Sequence, residues 1–293
     1  MSDTSNTTRG LRVAVLGTGT MGAAMTRSLL RSGISVTVWN RSVEKTQPLL
    51  DAGARAASTP ADAVRDADVV LTMLFDADAV VEIAGEFLPA VPDDAIWMQS
   101  STVGAEGMRV VEAVASSRRI RLVDAPVLGT KDPAERGELT VLASGDQAAA
   151  AALHPVFDAI GSRTIYAGDR IGAASDLKLV CNTWVASLTA GTAQSIALSR
   201  DFGLQPLLFL DAITGGASDS PYAHVKGATI LGGNRAPQFA LDGLLKDLRL
   251  AQATVGGTST APYLDALEHL YAAASNAGHG GEDVAWVYDA IAS

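Results

Sequence analysis

A glycine turn set between a strand signal and a helix signal near the start of the chain restricts its fold more than any other feature. Residues 11–16 are a short apolar run rich in valine, Gly17-Thr18-Gly19-Thr20-Met21-Gly22 follows at once, and residues 23–31 read as a helix. In such a unit the first glycine permits the tight turn, the second lets the backbone approach a pyrophosphate, and the third lets the helix pack close to the strand. The helix N-terminus adds a positive end for the phosphate charge. A glycine triplet alone is a weak signal. Here it has the context that gives it meaning, including a second strand over 35–39 that ends where a ribose-reading residue is expected. Residues 17–22 are therefore the expected dinucleotide cradle.

The second strand ends in Asn40-Arg41-Ser42, where an NAD-selective site usually offers a carboxylate to the ribose hydroxyls. A 2′-phosphate is repelled by a carboxylate and attracted by Arg41, whose planar fork bonds phosphate in a bidentate way. Asn40 and Ser42 add neutral donors. The expected cofactor is NADP.

With 293 residues and 48% apolar content the chain is long enough for two domains, each with its own core. It holds no run of about 18 uninterrupted apolar residues, so no membrane span is expected. Its first residues are polar and lack a basic start followed by an apolar segment, which reads as a disordered tail over 1–10 and points to the cytoplasm. A single cysteine, Cys181, excludes an intramolecular disulfide and reads as a buried, inert thiol in an apolar helix. The four histidines show no metal-ligand spacing. A net charge of −10 without clustered Lys and Arg argues against a nucleic-acid surface.

Beyond the glycine turn, apolar runs at 69–74, 95–98, 120–123, 139–143 and 163–166 read as strands, most of them separated by helical stretches. That alternation builds an α/β domain, a mostly parallel, doubly wound Rossmann-type sheet with ligands beyond the carboxyl ends of its strands. Met73, Leu74 and Phe75, with the loops at 75–78, 100–104 and 125–130, are thus expected on the cofactor side. From about residue 176 the strand signals stop. Residues 176–200 carry apolar positions at helical spacing without proline, and further helices are expected at 207–213, 240–256 and 261–277. The expected division is a Rossmann domain over 11–174 and an all-helical domain over 175–293, entered by one long helix.

Lys178 opens the run Lys178-Leu179-Val180-Cys181-Asn182, and in a helix positions 178 and 182 lie one turn apart on one face. An ammonium and a carboxamide can then converge on one small ligand, near the domain boundary, where small-ligand sites are common. A proton carrier added to a hydride carrier suggests an alcohol/carbonyl oxidoreductase. Met21 and Trp184 read equally well as packing residues.

Taken together, the segments Gly17 to Gly22, Ser101-Thr102, Asp124-Ala125-Pro126-Val127-Leu128-Gly129-Thr130, Gly172 through Lys178 to Asn182, and Lys246-Asp247 resemble the β-hydroxyacid dehydrogenase family, which contains 3-hydroxyisobutyrate dehydrogenase. Lys131-Asp132-Pro133-Ala134-Glu135 is most similar to its glyoxylate/succinic semialdehyde reductase branch. The resemblance implies Lys178 as general acid/base with Asn182 orienting substrate, Thr102 and Lys246 as cofactor contacts, and Ser101 with Leu128, Gly129 and Thr130 around the substrate. The family's serine in the third segment is Leu128 in this chain, which removes a hydroxyl donor to a carboxylate. A family glycine four residues before the lysine is Ala174, which stiffens the turn there.

The expected reaction is hydride exchange between NADP and a small aldehyde, keto acid or β-hydroxy acid, by an enzyme that forms a homodimer. Two alternatives stand beside it. One is an imine reductase on the same fold, for which the apolar Leu128 suits. The other is a non-catalytic NADP-binding regulatory or scaffold protein, against which Lys178 speaks.

Overall fold

The computed structural model describes residues 10–255 and 260–292. The tail expected over 1–10 thus lies, except for Gly10, outside the described residues. The chain separates into two compact units between Ser175 and Asp176.

The N-terminal unit holds a sheet of β1 (Arg12–Leu16), β2 (Ser35–Trp39), β3 (Arg55–Ala56), β4 (Val69–Thr72), β5 (Ile96–Gln99), β6 (Arg121–Asp124), β7 (Val127–Leu128), β8 (Leu139–Gly145) and β9 (Gly161–Tyr166). Its order is β3-β2-β1-β4-β5-β6-β8-β7, with β9 alongside β8. Neighbours from β3 through to β6 pair in parallel, in the 3-2-1-4-5-6 order of dinucleotide-binding sheets. β8 runs antiparallel to β6 and β7 and parallel to β9. Strand residues alternate between two cores, as the two-residue pleat requires. Val13, Val15, Val69, Leu71, Ile96 and Met98 face one of them. Ala14, Leu16, Val70 and Trp97 face the other.

Helices cover both faces. The first core is closed by α1 (Thr20–Arg31) through Ala24, Met25 and Leu29 and, after α2 (Gln47–Leu50), by the later α7 (Gln147–Ala152) and α8 (His154–Ile160). The second is closed by α3 (Pro60–Val64), α4 (Ala77–Phe87) and α5 (Gly104–Ser117), with Phe87 edge-on to Trp97 at 5.2 Å between ring centres. α6 (Lys131–Arg136) is tied to α1 by an ion pair between Arg27 and Glu135.

Several boundaries differ from those the periodicity suggests. The strand expected to 74 ends at Thr72, although Met73 N–H still reaches Leu16 O at 2.9 Å. The loop expected over 125–130 contains β7, too short to show as a pattern and made a strand by pairing with β8. The long helix, α9 (Ala173–Asp201), starts three residues before 176. Its early start comes from a remote cap: Ala174 N–H donates to Ser144 Oγ at 3.0 Å and Ser175 N–H to Asp124 Oδ2 at 2.8 Å. Ala174 is therefore a buried helical residue, and the turn falls at Gly172, with φ 92°.

The helical unit continues with α10 (Leu207–Ile213), α11 (Pro221–Gly232), α12 (Leu241–Val255), α13 (Ala261–Ala274) and α14 (Val287–Ile291). α11 was not expected, yet proline stands at its first position and a left-handed glycine, Gly233, closes it. α13 stops short of 277, where the chain passes into a π turn over Ser275–His279 with Gly278 at φ 98°. Ala186, Ile196, Leu244, Leu248, Leu267 and Tyr271 belong to one core. Cys181, read as buried, is only partly so.

Inside this unit Lys226 Nζ bonds Asp283 Oδ1 at 2.7 Å, and both side chains are almost wholly buried. Asp283 also accepts from Gln238 and Ala285 N–H groups at 3.0 and 3.1 Å. Breaking such a pair from one side leaves a dry, unanswered charge. Asp283→Ala is expected to lower unfolding free energy by about 3–5 kcal/mol, read from the denaturant midpoint, whereas Glu106→Ala, which breaks an exposed pair, should leave that midpoint nearly unchanged.

Candidate active site

The N-terminal unit supplies a nucleotide cradle. Gly17 has φ 102°, and a Cβ there would lie 2.3 Å from Met73 O. A Cβ on Gly22 would lie 1.9 Å from Gly17 O, so backbone meets backbone where α1 leaves the sheet. Gly19 is different: it is exposed and a Cβ would meet no protein atom within 4 Å. Its side stays open for a ligand. α1 begins after Gly19 without a side-chain cap, so the first-turn N–H groups around Thr20, Met21 and Gly22 are not answered by a capping side chain. Open backbone and uncapped N–H groups at a helix N-terminus fit a dinucleotide pyrophosphate.

Asn40 braces the cradle from the end of β2. Its Oδ1 accepts from Thr18 N–H at 2.9 Å and its Nδ2 donates to Ser42 O at 3.0 Å. Arg41 beside it is exposed and bonds none of the described residues, which leaves its guanidinium available. Met73 and Leu74 are half-buried and Phe75 is exposed. Ser101, expected to touch substrate, is instead fully buried and ties this loop: its Oγ accepts from Leu74 N–H at 2.9 Å and reaches Thr72 O at 3.4 Å. Gln99 completes the brace, with Oε1 accepting from Ser101 N–H at 2.7 Å. Thr102, next along, is half-buried. Leu128 pairs with Thr140 in β7–β8. Gly129 follows, exposed, at φ 131°, a conformation that L side chains rarely adopt, and Thr130 leads into α6.

The helical unit holds Lys178 and Asn182. Lys178 is buried, 9% exposed, and Asn182 lies one turn on and is also buried. Asn182 Nδ2 donates to Asp247 Oδ2 at 2.5 Å. Lys246 Nζ stands 2.9 Å from the other oxygen of Asp247, a contact of charge rather than a directed hydrogen bond. Burial holds the Lys178 pKa below the ordinary lysine range; Asp247 opposes that shift and the Lys246 charge adds to it. Lys178, Asn182, Lys246 and Asp247 therefore form one electrostatic group.

Asp247 was not singled out from the residues alone, where Lys246-Asp247 passes for a solvated pair. The signal was its position: Leu244, Leu245, Leu248 and Ala251 are the buried face of α12, and 247 falls among them. Asp124 was missed as well. It is wholly buried and accepts from Ser175 Oγ at 2.7 Å and Ser144 Oγ at 3.1 Å besides the Ser175 N–H. Burial pushes its carboxyl up, against the lowering effect of those bonds. It anchors the first turn of α9, one turn before Lys178. Among the described residues no group of three or more potential metal ligands occurs, and no helix is long and apolar enough to cross a membrane.

Comparison with known proteins agrees with both units. Residues 12–168 match the NAD binding domain of 6-phosphogluconate dehydrogenase, and 172–291 match the domain described as NAD-binding of NADP-dependent 3-hydroxyisobutyrate dehydrogenase. The chain is 31% identical over 285 residues to glyoxylate/succinic semialdehyde reductase 1 of Arabidopsis thaliana, covering 96% of this chain and 98% of that one. It is similar to the crystal structure of 3-hydroxyisobutyrate dehydrogenase from Salmonella typhimurium at TM-score 0.87 and 28% identity, over 95% of this chain and 99% of the other. An imine reductase from Myxococcus stipitatus in complex with NADP+ shares the fold at TM-score 0.66 and 23% identity, over 96% and 99% of the two chains.

A lysine whose pKa is lowered in the fold binds fewer protons folded than unfolded between the lowered value and the ordinary one. Stability therefore rises with pH across that window and levels off above about pH 10.4, where the unfolded lysine is also neutral. Lys178→Met removes this dependence. The difference in unfolding free energy between parent and variant is expected to grow in the parent's favour as pH rises toward that limit, and a pH-independent difference would place Lys178 in water.

Proposed function

Since this chain belongs to the β-hydroxyacid dehydrogenase family and is an NAD(P)-dependent dehydrogenase/reductase, we propose that it reduces a small aldehyde or keto acid with NADPH, in reverse oxidising a β-hydroxy acid, with Lys178 as general acid/base. The observation that carries the reading is a lysine buried with its pKa lowered, one helical turn from a carboxamide held by Asp247.

The nicotinamide, when bound, supplies or accepts the hydride. Gly17 to Gly22 and Thr102 hold the cofactor, Arg41 with Ser42 reads its 2′-phosphate, and Asn40 keeps the turn in shape through Thr18. Lys178 polarises the carbonyl oxygen as an ammonium and then gives it a proton, and in oxidation its amine takes that proton back. Burial makes the ammonium more acidic than a lysine in water, closer to the working pH at which general acid/base transfer is most effective. Asp247 opposes that shift and orients Asn182, leaving the rest of the carboxamide for substrate. Lys246, paired with Asp247, adds positive charge for anionic groups. Leu128 takes the place of a hydroxyl in the substrate loop with Gly129 and Thr130, favouring a substrate whose polar end is held elsewhere.

The relatives that share this chain's whole length include one named for glyoxylate and succinic semialdehyde, which supports a small carbonyl substrate. Imine reduction on the same fold is favoured only by the apolar Leu128, while Lys178 and Asn182 supply the groups a carbonyl oxygen needs. A non-catalytic role leaves the buried lysine without a purpose. The protein is expected to work as a homodimer in the cytoplasm.

Lys178→Ala is expected to leave NADPH affinity nearly unchanged and to lower single-turnover NADPH oxidation by about two to four orders of magnitude, with Asn182→Ala in between. In the parent the reduction rate should fall as pH rises through the lowered Lys178 pKa. A Lys178→Ala enzyme of near-parental rate would sink the assignment. For the cofactor, NADPH should bind more tightly than NADH, and Arg41→Ala should selectively weaken NADPH by removing charge-assisted bonds of about 1.5–3 kcal/mol each; equal parental affinities in a titration would refute this.

A further inference from the structure

Beneath the loops that follow β4 and β5 lies a dry polar network centred on Gln99. Thr72, Trp97, Gln99 and Ser101 are wholly buried, and their polar groups run in one sequence. Trp97 Nε1 donates to Thr72 Oγ1 at 2.9 Å, and Thr72 Oγ1 donates in turn to Gln99 Oε1 at 3.3 Å. Gln99 Oε1 also accepts from Ser101 N–H at 2.7 Å, while Gln99 Nε2 donates to Ser101 O at 2.8 Å and reaches Met108 Sδ at 3.6 Å. A backbone N–H can only donate and a carbonyl only accept, so the amide stands one way round.

The Gln99 side chain thereby does for Ser101 what a neighbouring strand does within a sheet. β5 ends at Gln99, whose own carbonyl still accepts from Ala125 N–H at 2.7 Å. At Ser101 the chain has left the ladder, and the Gln99 amide answers both of its backbone polar groups. This fixes the peptide planes on either side of Ser101 and so the direction in which Thr102 leaves. Ser101 Oγ, accepting from Leu74 N–H at 2.9 Å, ties in the loop after β4. One buried amide thus sets the shape of two loops.

Those loops have a definite place in the sheet. The glycine turn and Arg41 belong to the half built from β1, β2 and β3, while β4, β5 and β6 build the other half. A dinucleotide lies across such a sheet with one nucleotide on each half, so residues 73–75 and Thr102 belong with the nicotinamide nucleotide. We propose that Gln99 is a positioning residue for that half of the cofactor: it touches no ligand and sets the loops that do. The proposal rests on the cofactor binding read above and is independent of the role of Lys178.

Gln99→Glu tests this, because its protonation state decides whether the bonding pattern survives. A neutral carboxyl accepts from Ser101 N–H and donates to Ser101 O as the amide does, whereas a carboxylate turns a second acceptor on that carbonyl. Burial moves the titration of such a group up toward neutral pH or above. The readout is the ratio of two affinities measured by calorimetry, that for NADP+ and that for 2′,5′-ADP, which lacks the nicotinamide nucleotide. At about pH 9 the Gln99→Glu ratio should fall about tenfold or more below the parental one, the cost of leaving a buried group unanswered, and it should return toward the parental ratio by about pH 6. Gln99→Met, with neither donor nor strong acceptor, should stay low at both. A parental ratio throughout, equal weakening of both ligands, or a Gln99→Glu deficit that ignores pH would overturn the proposal. Where circular dichroism shows that variants at 99 do not fold, Ser101→Ala decides: it keeps the amide bonds, cuts the tie to Leu74 and should lower the same ratio, and an unchanged ratio overturns the proposal. A parent that favours NAD+ refutes the cofactor choice above, while NAD+ against ADP makes the same comparison; a parent that binds neither dinucleotide overturns both. Lys178→Ala should keep the parental ratio, so failure of the catalytic reading and failure of this one are read separately.

Discussion

The carbonyl oxygen of Gly17 occupies the space that a side chain at position 22 would need. Because neither residue has a Cβ, β1 can end, turn and start α1 within a backbone contact distance. Much of the N-terminal unit follows from that contact. It brings the turn after β1 against Met73 at the end of β4, where the strand order reverses direction from β1 and a crevice opens in such sheets. It also leaves the first turn of α1 uncapped. Any larger residue at 17 or 22 must push these elements apart, and the cradle would widen with them.

The helical unit is governed by a different constraint, the cost of drying a charge. Lys226 answers it fully, in a buried ion pair whose carboxylate is also bonded by backbone N–H groups. Lys178 answers it only in part, since Asp247 is shared with Asn182 and Lys246. The difference matters for chemistry. A fully paired lysine is a structural rivet, whereas one whose charged form is left less stable than in water loses its proton at lower pH than an ordinary lysine. Asp124, dry and bonded by Ser144 and Ser175, fixes the turn of α9 that precedes this lysine.

Much of this was legible from local pattern. The glycine turn, the alternation of strand and helix, the Lys178 to Asn182 spacing and the absence of a carboxylate at 40–42 each depend on residues close in sequence. What escaped was decided by residues far apart. Ser101 lies within a recognised segment, but only the path of the chain shows its hydroxyl tied to Leu74 rather than facing a substrate. The start of α9 could not be read at Ala173, because its cap comes from Asp124 and Ser144, 51 and 30 residues upstream of the groups they bond. β7 is a strand only because β8 lies beside it. α11 is the reverse case, a miss with its proline start and glycine stop in plain view.

By itself, the sequence determined the fold class, the nucleotide turn and the helical spacing of Lys178 and Asn182, because these rest on short-range spacing: the period of a helix, the alternation of a strand, a glycine where no side chain fits. Only the tertiary structure decided which charges are dry and which partners answer them. Asp247 becomes part of the site, and Trp184 part of an open surface, through the packing of helices distant in sequence, and burial is a property of the assembled fold that no local pattern contains.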